Sequence, residues 1–356
     1  MNKLDPMKVV LSVVDSEYPS GIQVEEFAKN EDLLKSAIKL AERNGLYYCF
    51  VHRLKELNPD LVLSDEERER WNNELQKLPA LKNTFAFLSE MQLRDGIDYI
   101  LIKACTTIPH FPRDVDILVH IEDKERIYDA FKREGMKVVY SNPVETAFNK
   151  EGYTKLDIYS EIGYIGVNFI DSGFLWNSKV EVEDSMFGIK YPSLNDEANF
   201  LLLLVHSIFG HRSMTLLDFL HTRNLMESIQ DIGVCRGHAY ERGWGAIFEM
   251  GLERLEAVYK ASYEDDGVVS FPYLFDRKFM MECVASMEGL RMSKREKVFF
   301  SLSLGLDRVA YELAKSPFYD SLMGFSAGRR MFNSLGYFIR DRRGDRHGIY
   351  GQNGNK

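Results

Sequence analysis

Three aspartates are spaced so that they could act together. Asp114 and Asp116 form Asp-x-Asp at the entrance to an apolar run, Ile117-Leu118-Val119, and Asp157 stands inside a later strand-like run, 153–159. Side chains along a strand alternate faces, so Asp114 and Asp116 point the same way and offer hard oxygen ligands suited to Mg²⁺. An aspartate between Leu156 and Ile158 is unusual in a strand without a partner, which favours a metal over unrelated surface acids. Two divalent ions about 3.5–4 Å apart, bridged by carboxylates, can activate an attacking hydroxyl and stabilise a leaving pyrophosphate. Phosphoryl and nucleotidyl transfer are therefore the chemistries that this equipment fits.

Cationic residues flank the acids. Lys103 ends the preceding apolar run, Tyr99-Ile100-Leu101-Ile102, and Arg113 adjoins Asp114, so both could neutralise a triphosphate. Glu161, four residues after Asp157, is a reserve carboxylate. Farther on, His206, His211, Asp218 and His221 form the densest group of candidate ligands, but spacings of five, seven and three match no zinc pattern. His206 and Arg212 are read instead as contacts to ribose or phosphate.

The elements that must position these residues follow from periodicity. Residues 8–14, Lys-Val-Val-Leu-Ser-Val-Val, read as a strand. From Glu31 the spacing turns helical, with Leu33, Leu34, Ala37, Ile38 and Ala41 on one face, then a helix through Tyr48, Val51 and Leu54. Ser64 and Glu67 form a capping box before a charged amphipathic run, and a helix after Pro79 ends at Asp95-Gly96. The centre alternates: strands at 99–102 and 115–120, a helix at 123–134, and strands at 136–140, 146–149 and 153–159, with the acid-bearing strands adjacent. Short strand-like pieces at 179–182 and 187–191 follow. Helices are expected at 200–209, 215–229, 239–261, 276–287, 294–314 and 326–338, then a disordered tail from Arg340.

With 356 residues, 45% hydrophobic and 28% charged, the chain can bury a sizeable core. A net charge of −9 argues against a surface coated for nucleic acid, although the stretch from Arg329 to Arg346 is locally basic and could dock a polyanion such as tRNA. The four cysteines, Cys49, Cys105, Cys235 and Cys283, show no paired spacing. No apolar run approaches the ~20 residues that span a bilayer, and none looks like a signal peptide. The expectation is a cytoplasmic protein with no membrane partner.

The stretch from Lys103 to Asp116, with Asp157, resembles the nucleotidyltransferase superfamily typified by DNA polymerase β. That pattern is a strand, a small-residue loop, an acid-x-acid strand and a later acid on a neighbouring strand. It is similar more closely to the family of uncharacterised nucleotidyltransferases, on Lys103, Arg113, Asp114, Asp116 and the later His206 and Asp218. The resemblance spans about 31–260. It implies an α+β fold in which a small mixed β-sheet nucleotidyltransferase core is flanked by N-terminal helices and a C-terminal helical domain. The expected divisions are 1–95, 96–192, 193–338 and the tail 339–356. It also implies two Mg²⁺ ions, or Mn²⁺ in their place, on Asp114, Asp116 and Asp157. An NTP, ATP first among them, would be the substrate, and RNA, tRNA or a protein could be the acceptor.

Where the superfamily usually has Gly-Gly or Gly-Ser, this chain has Lys103-Ala104-Cys105-Thr106-Thr107. The hydroxyls of Thr106 and Thr107 would then supply donors to phosphate in place of bare backbone amides. The same departure motivates a rival reading, a degenerate nucleotidyltransferase that binds nucleotide or RNA as a regulator. A glycosyltransferase using Asp-x-Asp fits less well, because such enzymes place the pair after an N-terminal nucleotide-binding α/β half.

Overall fold

The computed structural model describes residues 5–18, 27, 29–104, 107–141, 145–164, 167–184, 188–211 and 214–264. Cys105, Thr106, Arg212, the three helices expected after 276 and the tail lie outside the described residues. Contacts group residues 1–164 and 168–291 into one compact unit, and that unit is described here.

The chain opens with a helix, α1 (Pro6–Val14), where the β-branched run had pointed to a strand. Local chemistry decides the matter. Asp5 caps the helix by accepting from the Met7 amide at 2.9 Å, and Pro6 presets the first helical φ. Val9, Val10, Leu11 and Val13 are then buried against α2 (Glu31–Arg43) and α3 (Tyr47–Leu57), so packing outweighs the modest helix propensity of valine. The Ser64–Glu67 capping box forms and starts α4 (Asp65–Leu75). Next, α5 (Lys77–Asp95) begins two residues ahead of Pro79 and stops at Gly96, whose φ of 61° favours glycine.

The strands are β1 (Tyr99–Ile102), β2 (Asp114–Val119), β3 (Lys137–Ser141), β4 (Glu145–Asn149) and β5 (Lys155–Tyr159), with α6 (Lys124–Arg133) between β2 and β3. A small ribbon, β6 (Ile162–Tyr164) and β7 (Val167–Ile170), and a short helix, α7 (Ser172–Asn177), lead to β8 (Lys179–Asp184) and β9 (Ile189–Leu194). These form a seven-stranded mixed sheet in the order β3-β4-β5-β2-β1-β9-β8. β2 runs antiparallel to β1 and parallel to β5, so the two acid-bearing strands are neighbours, as expected. Phe85, Phe87, Leu88 and Met91 of α5 and Ile127 and Phe131 of α6 cover one face of the sheet.

Past the sheet come α8 (Asp196–Val205), a π-helical turn (His206–His211), α9 (Leu216–Ser228), α10 (Ile232–Glu241) and α11 (Gly245–Tyr259). The single helix expected over 239–261 is broken. Gly243, at φ 82°, ends α10, and the buried Trp244 turns inward to donate to the Phe169 carbonyl at 2.9 Å before α11 starts. Among the described residues no helix is long and apolar enough to cross a membrane.

Candidate active site

The site is built from the alternation of two parallel strands. Val115, Ile117 and Val119 of β2 and Leu156 and Ile158 of β5 enter the core beneath α5 and α6. The intervening residues take the other face. Register pairs Asp114 with Lys155 and Asp116 with Asp157, and strands in register share faces. Asp114, Asp116, Lys155, Asp157 and Tyr159 thus form one polar surface on the back of an apolar one.

Two lysines neutralise this surface. Lys103 Nζ donates to Asp116 Oδ1 at 2.9 Å and to the Tyr159 hydroxyl oxygen at 3.3 Å, and lies 4.7 Å over the Tyr159 ring. Lys155 Nζ stands 3.1 Å from Asp114 Oδ2 and 2.8 Å from Asp157 Oδ2. Asp157 is buried, and its Oδ1 has no hydrogen-bond partner. Burial, reinforced by the charges of Asp114 and Asp116, pushes the Asp157 carboxyl up to about 8 against the pull of Lys155. Burial also raises Asp116, with Lys103 opposing and the charge of Asp114 adding to the rise. Asp114 goes the other way: burial opposes ionisation, but Lys155 and then Lys103 outweigh it and hold the carboxyl below its ordinary value. Lys155 is in turn held above its ordinary value, since Asp114 and Asp157 overcome its desolvation.

The loop after β1 is aimed by its backbone. Lys103 has φ 58°, the left-handed region that costs a non-glycine residue on the order of 1 kcal/mol. The Ala104 carbonyl accepts from Asn199 Nδ2 of α8 at 3.2 Å, and the Leu101 carbonyl accepts from Ser193 Oγ of β9 at 3.1 Å. A small, partly open cleft lies where β1 ends and β2 begins. Lys103, Asp114 and Asp116 line its polar side, and Leu81 and Phe85 of α5 with Ile189 and Tyr191 of β9 line its apolar side. His110 also lines it, and its Nδ1 lies 3.1 Å from the Ile108 carbonyl; burial lowers its pKa from the ordinary value.

The structure brings together Lys103, Asp114, Asp116 and Asp157. Arg113 is exposed beside Asp114, and Thr107 resumes the described loop; neither is among the residues lining the cleft. His206 opens the π-helical turn after α8 and is likewise outside that lining. Asp218 is used by its own helix, where its Oδ2 accepts from the Thr215 amide at 3.0 Å and hydroxyl at 2.7 Å. Glu161 falls beyond the end of β5 and is exposed. Lys155, Tyr159, Ser193 and Asn199 were not singled out by sequence. Lys155 and Tyr159 left a signal, two residues before and two after Asp157 and hence on the same strand face.

Among the described residues no three His, Cys, Asp or Glu side chains have the geometry of a metal cage. The donor set nevertheless fits a divalent cation, because a buried carboxylate oxygen, Asp157 Oδ1, is left unpartnered beside two further carboxylates.

No protein-family model and no curated protein matches the chain. Two solved structures are similar in part. The lincosamide antibiotic adenylyltransferase LnuA, lincomycin-bound, is 20% identical over 42% of this chain and 99% of that one, with a TM-score of 0.32. The antibiotic-resistance factor ANT(2'')-Ia is 11% identical over 50% of this chain and 97% of that one, with a TM-score of 0.34.

Proposed function

We propose that this chain is a nucleotidyltransferase that moves an NMP from an NTP, with ATP the first nucleotide to try, to an acceptor hydroxyl. The observation that carries the reading is the β2–β5 register, which seats Asp157 beside Asp116, while Asp116 and Asp114, on the same strand face, line a cleft. The resemblance of the Lys103–Asp116 stretch and Asp157 to the superfamily's acid core supports it. In the reaction the acceptor oxygen bonds to the α-phosphorus and the bond from that phosphorus to the bridging oxygen breaks. Pyrophosphate leaves with the electron pair, and the hydroxyl proton is released.

Asp114, Asp116 and Asp157 would hold Mg²⁺, or Mn²⁺ in its place. When bound, the metal would ease ionisation of the attacking hydroxyl and offset charge on the departing pyrophosphate. The chain's own part is positioning and charge. Lys103 reaches the cleft on a strained turn, where its ammonium can leave Asp116 for a phosphate oxygen. The Asn199 hydrogen bond keeps that turn in place. The acceptor would be RNA, tRNA or a protein, met in the cytoplasm.

Incubation with each labelled NTP, Mg²⁺ and a pool of acceptors tests the reading. Transfer should fall at least about a hundredfold in Asp116→Asn and in Asp157→Asn. Transfer that ignores both substitutions would sink it. A second reading has its own observation: both lysines already sit on the carboxylates, and the loop lacks the usual glycine pair. In that reading the protein binds nucleotide or RNA as a regulator without turnover. Calorimetry with and without EDTA separates the two, since a metal-indifferent affinity favours the regulator.

A further inference from the structure

Carboxylates crowded on one face of a sheet repel one another, and here two ammonium groups of different standing offset them. Lys103 sits in the loop after β1 and divides its contacts between Asp116 and Tyr159. Lys155 is part of β5 itself, opposite Asp114 in the register and two residues before Asp157. Its backbone cannot withdraw without unpairing the strand. Its Nζ contacts Oδ2 of Asp114 and Oδ2 of Asp157, so a single ammonium already offsets two of the three carboxylates that would otherwise hold cations. What remains is the other oxygen of Asp157, its buried Oδ1, which has no hydrogen-bond partner; Asp116 is the residue opposite Asp157 in the register.

We infer that Lys155 is a resident counter-ion that occupies one of two cation seats, so that the site accepts one divalent ion where the acid pattern alone implied two. The inference rests on the nucleotidyltransferase reading and alters it in one respect. The open seat lies at Asp116 and Asp157 Oδ1, and the ammonium keeps Asp114 and Asp157 together whether or not an ion is bound. An ammonium neutralises carboxylates but, unlike a second Mg²⁺, has no vacant coordination position for a hydroxyl or a phosphate oxygen. Charge on the leaving group must then be met by the single ion together with Lys103.

Electron paramagnetic resonance of the full chain with Mn²⁺ and a non-hydrolysable ATP analogue tests this without reading activity. Two Mn²⁺ ions about 4 Å apart are spin-coupled, whereas one ion gives an uncoupled six-line spectrum. The wild type should stay uncoupled in excess Mn²⁺, Lys155→Arg should do the same, and Lys155→Met purified in Mn²⁺ should become coupled. A coupled spectrum in the wild type overturns the inference and leaves the nucleotidyltransferase reading standing. So does an uncoupled spectrum in Lys155→Met. If Lys155→Met does not fold even in Mn²⁺ while Lys155→Arg does, the position is not one an ion can take, and the inference is again overturned. Absence of protein-bound Mn²⁺ from every variant overturns the metal reading itself, and this inference with it.

Discussion

Asp116 and Lys103 form the most enclosed ion pair of the site, 2.9 Å apart with side chains 11% and 13% exposed. Removing one partner strands the other charge in a place where water cannot repay it, and such losses cost on the order of 3 kcal/mol. Lys103→Met should therefore lower the denaturant midpoint markedly, although the Asp116 carboxyl can take up a proton and limit the loss. The double variant Lys103→Met/Asp116→Asn should recover most of it, because no charge is left to strand. Additive costs in that cycle would show that the pair is not coupled. His221 gives the pH counterpart. It is 2% exposed, its Nε2 has no partner, and burial, then the charge of His110, pushes it down to about 3. In the unfolded chain it titrates near its ordinary value of about 6.5. Below that pH the unfolded state binds the extra proton, so the stability owed to a neutral His221 is complete above about 6.5 and drains as pH falls towards about 3. His221→Leu should flatten this part of the profile of Tm against pH; an unchanged slope between pH 7 and 4 would refute the assignment.

At the scale of the element, the loop that carries Lys103 is held by a helix almost a hundred residues away in sequence. Asn199 of α8 donates to the Ala104 carbonyl, a bond worth about 1 kcal/mol. Asn199→Ala should leave the carboxylates untouched yet raise the KM for nucleotide by up to about tenfold, with a smaller change in kcat. Unchanged KM would mean that the turn holds itself. This contact also marks the limit of what sequence reveals. Alternation along β2 and β5 was readable, because a two-residue period places Asp114, Asp116 and Asp157 opposite the apolar residues whatever the rest of the chain does. Which residues of distant elements meet that face was not readable, since Asn199 and Ser193 have no local pattern of their own. Residues 8–14 misled for a related reason. A valine-rich run suits a strand or a buried helix equally, and the cap from Asp5 with Pro6 decided between them. The break at Gly243 and Trp244 is a tertiary event, an indole drawn in towards Phe169, that helical periodicity passes over.

Across the whole described unit, the helices before the sheet and those after it are fastened to each other directly. Asn44, at the end of α2, accepts from the Leu216 amide through Oδ1 at 3.0 Å and from the Leu217 amide through its carbonyl at 3.3 Å. Asp15, just past α1, accepts from Arg223 Nη2 of α9 at 3.1 Å and from the Tyr263 hydroxyl. Burial alone would raise the Asp15 carboxyl, but the hydrogen bonds from Arg223 and Tyr263 outweigh it and hold it below its ordinary value. Segments tied in this way should melt together. Arg223→Met leaves Asp15 buried without its counter-charge and should cost on the order of 3 kcal/mol. It should also open α1 and α9 to protease together, while unfolding stays a single transition at a lower midpoint. Two separated transitions would show that the helical segments are independent. The sign of the pH dependence gives a second check. A depressed carboxyl adds stability that is full above the unfolded value of about 3.9 and is lost as pH falls through the folded value. The variant has already forfeited that stability, so its deficit against the wild type should be constant near neutrality and shrink below about pH 4. A gap that persists unchanged into acid would mean that Arg223 acts by stacking its guanidinium, 5.3 Å from the centre of the Tyr263 ring, and not through its charge on Asp15.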